Sequence, residues 1–199
     1  MIKLRYRNTN TFFLRGNDTN LLIDTDYAGT LSAFYKEIRK NQIETGDITY
    51  VLTTHYHPDH IGIISELMEQ GVKLLLIDTQ IQYVHFADEI FRRDNRVKNK
   101  PINETKATVI SCSESRDFLF AMGISGEIIS TPSHSEDSIS VILGNGDCIV
   151  GDLEPIDYLA VYNNNLELKN DRDNIMSYNP KRILYAHAKE KNYCLVTKT

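Results

Sequence analysis

Cysteine is scarce in this chain: three residues among 199. Cys112, Cys148 and Cys194 are scattered, odd in number and free of any CxxC pair, which excludes a disulfide framework. They read as small, half-buried hydrophobes. Five prolines and ten glycines are too dispersed to mark a linker. No repeat or low-complexity tract divides the chain, so residues 1–199 read as a single domain. No apolar run approaches the roughly 20 residues that a membrane span needs. The opening "MIKLRYRNTNTFF" has neither an apolar signal core nor a small-residue cleavage site, so the expectation is a cytoplasmic protein off the membrane. A basic excess is missing as well: 22 Lys and Arg face 27 Asp and Glu, for a formal net charge of -5. That balance opposes the counterion release that drives nucleic-acid binding. A small-molecule partner is therefore expected rather than nucleic acid, and the oligomeric state is not legible.

What is present is an ordinary globular composition, 41% hydrophobic and 25% charged, on a chain long enough for one real core. "TFFLR" and "NLLIDT" read as strands around the turn "GNDT". "GTLSAFYKEIRKNQI" places Leu31, Phe34, Tyr35 and Ile38 on one helical face, with Thr30 or Gly29 as the cap. "ITYVLTT" is a β-branched strand, followed by a helix through Ile61, Ile64, Leu67 and Met68 that ends near Gly71. "VKLLLI" is apolar throughout and reads as a strand buried on both faces. A helix is predicted from Thr79 to about Asp94. Strand "ATVIS", a short polar connection and strand "GEIISTP" follow. "SISVIL-GNGD-CIVGD" is a hairpin, in which Asn-Gly favours the left-handed turn. "DRDNIMSYN" is a short helix and "RILYAHA" a last strand. The pattern suits a two-layer sheet sandwich covered by helices.

Half of the six histidines fall within "LTTHYHPDHIG". In an extended strand, residues two apart face one side, so His55 and His57 point together. Pro58 cannot continue a sheet ladder and redirects the chain. Asp59 and His60 then open the following helix, where the carboxylate also suits the helix N-terminus. Two groups aimed one way and two another suit a pair of metal ions better than one closed tetrahedral site. Neutral imidazoles with a carboxylate suit zinc, and also iron or manganese. Such a pair needs further ligands. His134, Asp152 and His187 each follow an apolar strand and would converge if those strands lie side by side. Glu154 and Asp157 are rival carboxylates to Asp152.

The run His55-x-His57-x-Asp59-His60 resembles the signature of the metallo-β-lactamase superfamily. A "TPxH" segment, a strand ending in "GD" and a late strand ending in histidine follow in the order of that family, and the resemblance spans essentially the whole chain. It implies an α/β (α+β) protein built as a four-layer αββα sandwich with metals at one edge. It implies that His55, His57 and His134 hold a first metal, that Asp59, His60 and His187 hold a second, and that Asp152 bridges them. Asp24, in "LLIDT", would orient ligands by hydrogen bonding. Two divalent ions, zinc first and iron or manganese as alternatives, would be the cofactors. The implied reaction is hydrolysis of an ester, thioester, lactone, amide or phosphoester by a metal-bound hydroxide, with Asp59 helping to orient it.

The chain also departs from the family. Where "TPGHTPGS" is common, this sequence has "TPSHSEDS": Ser133 and Asp137 replace the two glycines and Glu136 the second proline. Ile63 stands where a second glycine often follows the first motif, and alanines flank His187. No ligand type is lost, but a substrate cannot be copied from any one subfamily. A mononuclear non-haem iron enzyme of the persulfide-dioxygenase type and a non-catalytic binding module are the competing functions. Three features carry no motif. His85 reads as a partly exposed surface residue. Arg92, Arg93, Arg96, Lys98 and Lys100 read as a solvated helix end, with an anion-binding rim as the functional alternative. The segment 153–170, with Tyr158 and Tyr162, reads as a loop near the site.

Overall fold

The N-terminal apolar runs fold into the antiparallel strands β1 (Ile2–Arg5), β2 (Asn10–Arg15) and β3 (Asn20–Ile23). The computed structural model describes residues 1–155 and 165–193. Asp157, Tyr158, Tyr162 and Cys194 lie outside the described residues. Strands β4 (Tyr50–Leu52), β5 (Lys73–Ile77) and β6 (Thr108–Ile110) extend the first sheet in parallel, in the order β1-β2-β3-β4-β5-β6. The second sheet runs β11-β10-β9-β8-β7, from β7 (Gly126–Ser130), β8 (Ile139–Leu143), β9 (Asp147–Ile149), β10 (Arg182–Leu184) and β11 (Lys191–Asn192).

Alternation along the strands sorts the side chains into three apolar layers. Phe12, Leu14, Leu21, Leu75 and Ile77 meet Ile128, Val141, Ile149 and Leu184 between the sheets. The opposite face of the first sheet, with Phe13, Leu22, Val51, Leu74 and Leu76, packs under α1 (Leu31–Lys40), α2 (Pro58–Ile61), α3 (Ile64–Glu69) and α4 (Asp88–Arg93). The outer face of the second sheet, with Ile142, Cys148 and Ile183, packs under Leu168 and Ile175 of α6 (Leu166–Ser177). Helix, sheet, sheet, helix is the αββα order expected. β5 is buried on both faces, as its uninterrupted apolar run implies. The thiol of Cys148 is sealed in that outer layer, and burial pushes its pKa well up.

Several elements differ from expectation for local reasons. The helix predicted over 79–94 is a 3-10 turn at Asp78–Tyr83 followed by the short α4. Gln80 is spent on tertiary bonds to Thr53, Thr54 and Asp137 carbonyls, which pin the first turn away from helical continuation. The connection after β6 holds a helix, α5 (Ser115–Ala121). Ser111 and Glu114 form a capping box just before it, and Leu119 plugs the core between the sheets. α6 begins at Leu166 rather than at "DRD", because Asn165 caps it by accepting the Leu168 N–H at 3.0 Å. In the β8–β9 turn only Gly146 takes a positive φ, +93°, and Asn145 does not.

Candidate metal centre

His55, His57, Asp59, His60, His134, Asp152 and His187 arrive at one edge of the sandwich. β3 and β4 are parallel, as are β9 and β10, so the ends leading to Asp24, His55, Asp152 and His187 lie on the same side. At that edge the sheets are tied together by Ile139 N–H donating to the Thr54 carbonyl and Asn10 N–H to the Ala186 carbonyl, at 2.9 and 2.8 Å.

Contrary to expectation, His55 and His57 do not sit on the strand, which ends at Leu52. The buried carboxylate of Asp24 pulls the chain out of the ladder. It accepts the Thr54 N–H at 2.7 Å and the Thr53 and Thr54 hydroxyls at 3.1 and 3.0 Å. Asp24 itself holds a left-handed backbone, φ 61°, a conformation that Asp tolerates better than most residues. The next four residues bring the rings of His55 and His57 to 4.5 Å between centroids. His57 then serves as the N-cap of α2, with Pro58 in its first turn and His60 buried at its far end. Gly151, before Asp152, has φ +56°, and a Cβ there would lie 2.5 Å from the Thr54 hydroxyl. Only glycine permits that approach.

The side chains form two groups around one carboxylate. His55, His57, His134 and Asp152 offer ligand atoms that all lie within 4.8 Å of one another, and so do Asp59, His60 and His187. Asp152 stands between them. Its Oδ2 is 3.8 Å from His55 Nε2 and 3.7 Å from His134 Nε2. Its Oδ1 is 3.3 Å from both His60 Nε2 and His187 Nε2. His187 Nε2 is also 3.1 Å from Asp59 Oδ2. Neighbours meet the far side of three rings: the Thr54 hydroxyl is 3.2 Å from His55 Nδ1, Asp24 Oδ2 is 3.2 Å from His60 Nδ1 and the Asn8 carbonyl is 3.3 Å from His187 Nδ1.

Four buried atoms of the site, His55 Nε2, both ring nitrogens of His60 and Asp152 Oδ1, make no hydrogen bond among the described residues. Leaving such atoms unpaired costs free energy unless another partner takes them. Imidazole nitrogens and carboxylates aimed into one space are the donor set of zinc, iron or manganese. The residues therefore fit a metal centre.

The two groups differ in protonation. Burial, with His60 beside it, holds His55 neutral far below the ordinary histidine range. Burial also lowers His134. For His60, burial opposes charge, but the Asp24 and Asp152 carboxylates outweigh it and push the ring up to about 10. The hydrogen bond from His187 pulls Asp59 down to about 2 and raises His187 in return. Burial opposes the charge on Asp152, but His60 and the surrounding rings hold it below the usual carboxylate range.

A sequence model of the metallo-beta-lactamase superfamily matches residues 4–187. The chain belongs to that superfamily. Among curated relatives, the Methanocaldococcus jannaschii protein named "Probable metallo-hydrolase MJ0888" is 30% identical over 146 residues, 72% of this chain and 66% of that one. The Drosophila melanogaster "Beta-lactamase-like protein 2 homolog" is 24% identical over 90% of this chain and 58% of its own length. The chain thus spans under two thirds of the length of these relatives. Among solved structures, the metallo-beta-lactamase family protein TTHA1429 of Thermus thermophilus superposes with a TM-score of 0.68 at 16% identity, covering 92% of this chain and 70% of that one. TTHA1623, solved in a di-iron-bound form, gives 0.67 at 18%, covering 96% and 93%. These likenesses show the superfamily fold.

The remaining candidates fall outside the centre. Glu154 does not join either group and instead lines a cavity of about 170 Å³ beside His134. His85 is 47% exposed, held between Asp88 at 2.8 Å and Glu104 at 3.1 Å. Of the basic stretch, Arg92 and Arg93 pair with Glu89, Arg96 with Asp94 and Lys100 with Glu69. Four of its five charges are thereby answered locally, which favours the solvated reading. Sequence reasoning missed Phe86, whose exposed ring lies 5.5 Å from that of His57 and walls the site. It also missed Asp26, which accepts the Asn8 and Thr9 N–H groups at 2.7 and 2.9 Å and so sets the loop behind His187. Neither carries a local signal. Among the described residues, no helix is long and apolar enough to cross a membrane.

Proposed function

We propose that this chain is a dinuclear metal-dependent hydrolase acting on a small molecule through an ester, thioester, lactone, amide or phosphoester bond. The observation that carries the reading is the Asp152 carboxylate, one oxygen facing His55 and His134 and the other facing His60 and His187. His55, His57 and His134 would hold one ion, and Asp59, His60 and His187 the other. When bound, the ions lower the pKa of water from about 15.7 toward about 7 and polarise the bond under attack.

The chain's own groups set the geometry. The contacts at the far nitrogens of His55, His60 and His187 fix ring orientation and leave each Nε2 facing Asp152. Asp59 is half-exposed at the mouth and stays anionic at neutral pH, so it accepts a hydrogen bond from an entering water and aligns it. Phe86 narrows access on the His57 side and offers an apolar wall. Zinc is the first expectation from the donor set. The di-iron form of TTHA1623 makes iron the alternative to test beside it.

The test is elemental analysis of protein purified without chelators, followed by a panel of thioesters, lactones, phosphodiesters and β-lactams. Close to two ions per chain, with turnover of one bond class, supports the reading. A single iron per chain replaces it with mononuclear iron chemistry. No metal after reconstitution overturns the ligand assignment.

A further inference from the structure

Asp137 stands three positions after His134, where the resembling motif often carries glycine. Its side chain is buried, with the residue only 4% exposed. Burying a carboxylate is costly unless strong hydrogen bonds compensate. The structure shows that bond. Asp137 Oδ2 accepts the backbone N–H of Tyr56 at 2.6 Å, and a charge-assisted bond of this kind is roughly twice as strong as a neutral one.

Tyr56 is the residue between His55 and His57. The peptide that spaces two candidate ligands is therefore bound to the loop that bears the third. Around this bond the backbone is stitched further. Gln80, fully buried, donates its amide to the carbonyls of Thr53 at 3.1 Å and Asp137 at 3.0 Å. On the other side of His134, the Ser133 N–H donates to Asp171 Oδ2 of α6 at 2.7 Å. The loop is thus held from both ends while His134 Nε2 rests 3.2 Å from His57 Nδ1. Metal–ligand distances are tolerated within about 0.2 Å, so a small rotation of the 55–57 peptide takes its rings out of register with His134.

Resting on the ligand assignment proposed above, we infer that Asp137 is a positioning residue of the three-histidine side of the centre, locking the His55–Tyr56–His57 peptide to the loop of His134. A glycine cannot make this bond, so this chain sets the spacing by a side chain rather than by loop shape alone.

The experiment measures zinc affinity at both sites of the full chain by chelator competition, for wild type and for Asp137→Ala, Asp137→Gly and Asp137→Asn. In the alanine and glycine variants one zinc is expected to bind about 10- to 100-fold more weakly, with the other unchanged. Asparagine is expected to restore wild-type affinity, because its amide oxygen still accepts the Tyr56 N–H. A merely structural role would lower the melting temperature of every variant without splitting the two affinities. Should Asp137→Ala and Asp137→Gly not fold, Asp137→Glu decides: its extra methylene displaces the Tyr56 contact and must weaken the same site. Alanine or glycine variants that bind both ions like wild type overturn the inference, and so does asparagine as weak as alanine. A wild-type chain that binds no zinc overturns the ligand assignment and this inference together.

Discussion

Replacing Asp24 by asparagine tests how the second ligand group is set. Asp24 Oδ1 accepts the Thr54 N–H at 2.7 Å, and Oδ2 faces His60 Nδ1 at 3.2 Å. In Asp24→Asn the amide oxygen must stay on the Thr54 side, because a backbone N–H cannot accept from an NH2 group. The amide NH2 then faces His60 Nδ1. A carboxylate there requires Nδ1 to carry the proton, which leaves the Nε2 lone pair free for a metal. An NH2 group requires the opposite tautomer, in which Nε2 carries the proton and cannot ligate. Asparagine is at ease at the φ of 61° seen here, so backbone strain does not enter. Exchanging charged for neutral hydrogen bonds lowers stability by about 1–2 kcal/mol. The larger effect is on the metal: about 10- to 100-fold weaker binding at one site, since losing an outer partner of a ligating histidine has that range. Zinc titration against a chelator, with a thermal melt of the same samples, reads both quantities. Two zinc ions bound as tightly as in wild type would refute the tautomer argument.

Three further outcomes follow from the geometry. Asp59 is half-exposed and anionic beside His187, so Asp59→Ala should cut turnover by about two to four orders of magnitude while the melting temperature barely moves; wild-type turnover would sink the mechanism. Burial opposes the charge on His85, but Asp88 and Glu104 outweigh it and raise its folded-state pKa. The clip therefore stabilises fully below the unfolded value of about 6.5 and fades as pH rises through the folded value. For so exposed a group the contribution is at most about 1 kcal/mol, so the melting difference between wild type and His85→Gln should be present at acidic pH and vanish in alkali. Gly62→Ala places a Cβ 2.1 Å from Ala28 N and 2.2 Å from the Tyr27 carbonyl carbon, both backbone atoms. It should cost about 1–3 kcal/mol or more in urea unfolding, and an unchanged midpoint would show that the 26–28 loop yields.

The candidate site was legible because its residue types are chemically narrow. Five histidines and two aspartates at fixed points after apolar strands have few other uses, and the structure brings all seven together with Asp24 behind them. What failed was local continuation. Nothing in "TQIQYVHFADEIFRRD" shows that Gln80 will be captured by carbonyls of Thr53 and Asp137, far away in the chain. α5 was hidden by its composition: Leu119 and Ser115 are its buried residues, while Phe120 is 78% exposed, so its apolar periodicity is blurred. The capping box at Ser111 and Glu114 was the signal available for it.

The sequence by itself determined the layer architecture and the donor types at the candidate site, because strand alternation and donor chemistry are properties of residues and their spacing. Only the tertiary structure decided which nitrogen faces which oxygen, that Asp152 stands between the two groups, that His55 and His57 leave the strand at Asp24, and that Asp137 holds Tyr56. Each of those depends on contacts between segments far apart in the chain, and no local pattern encodes a partner it does not touch.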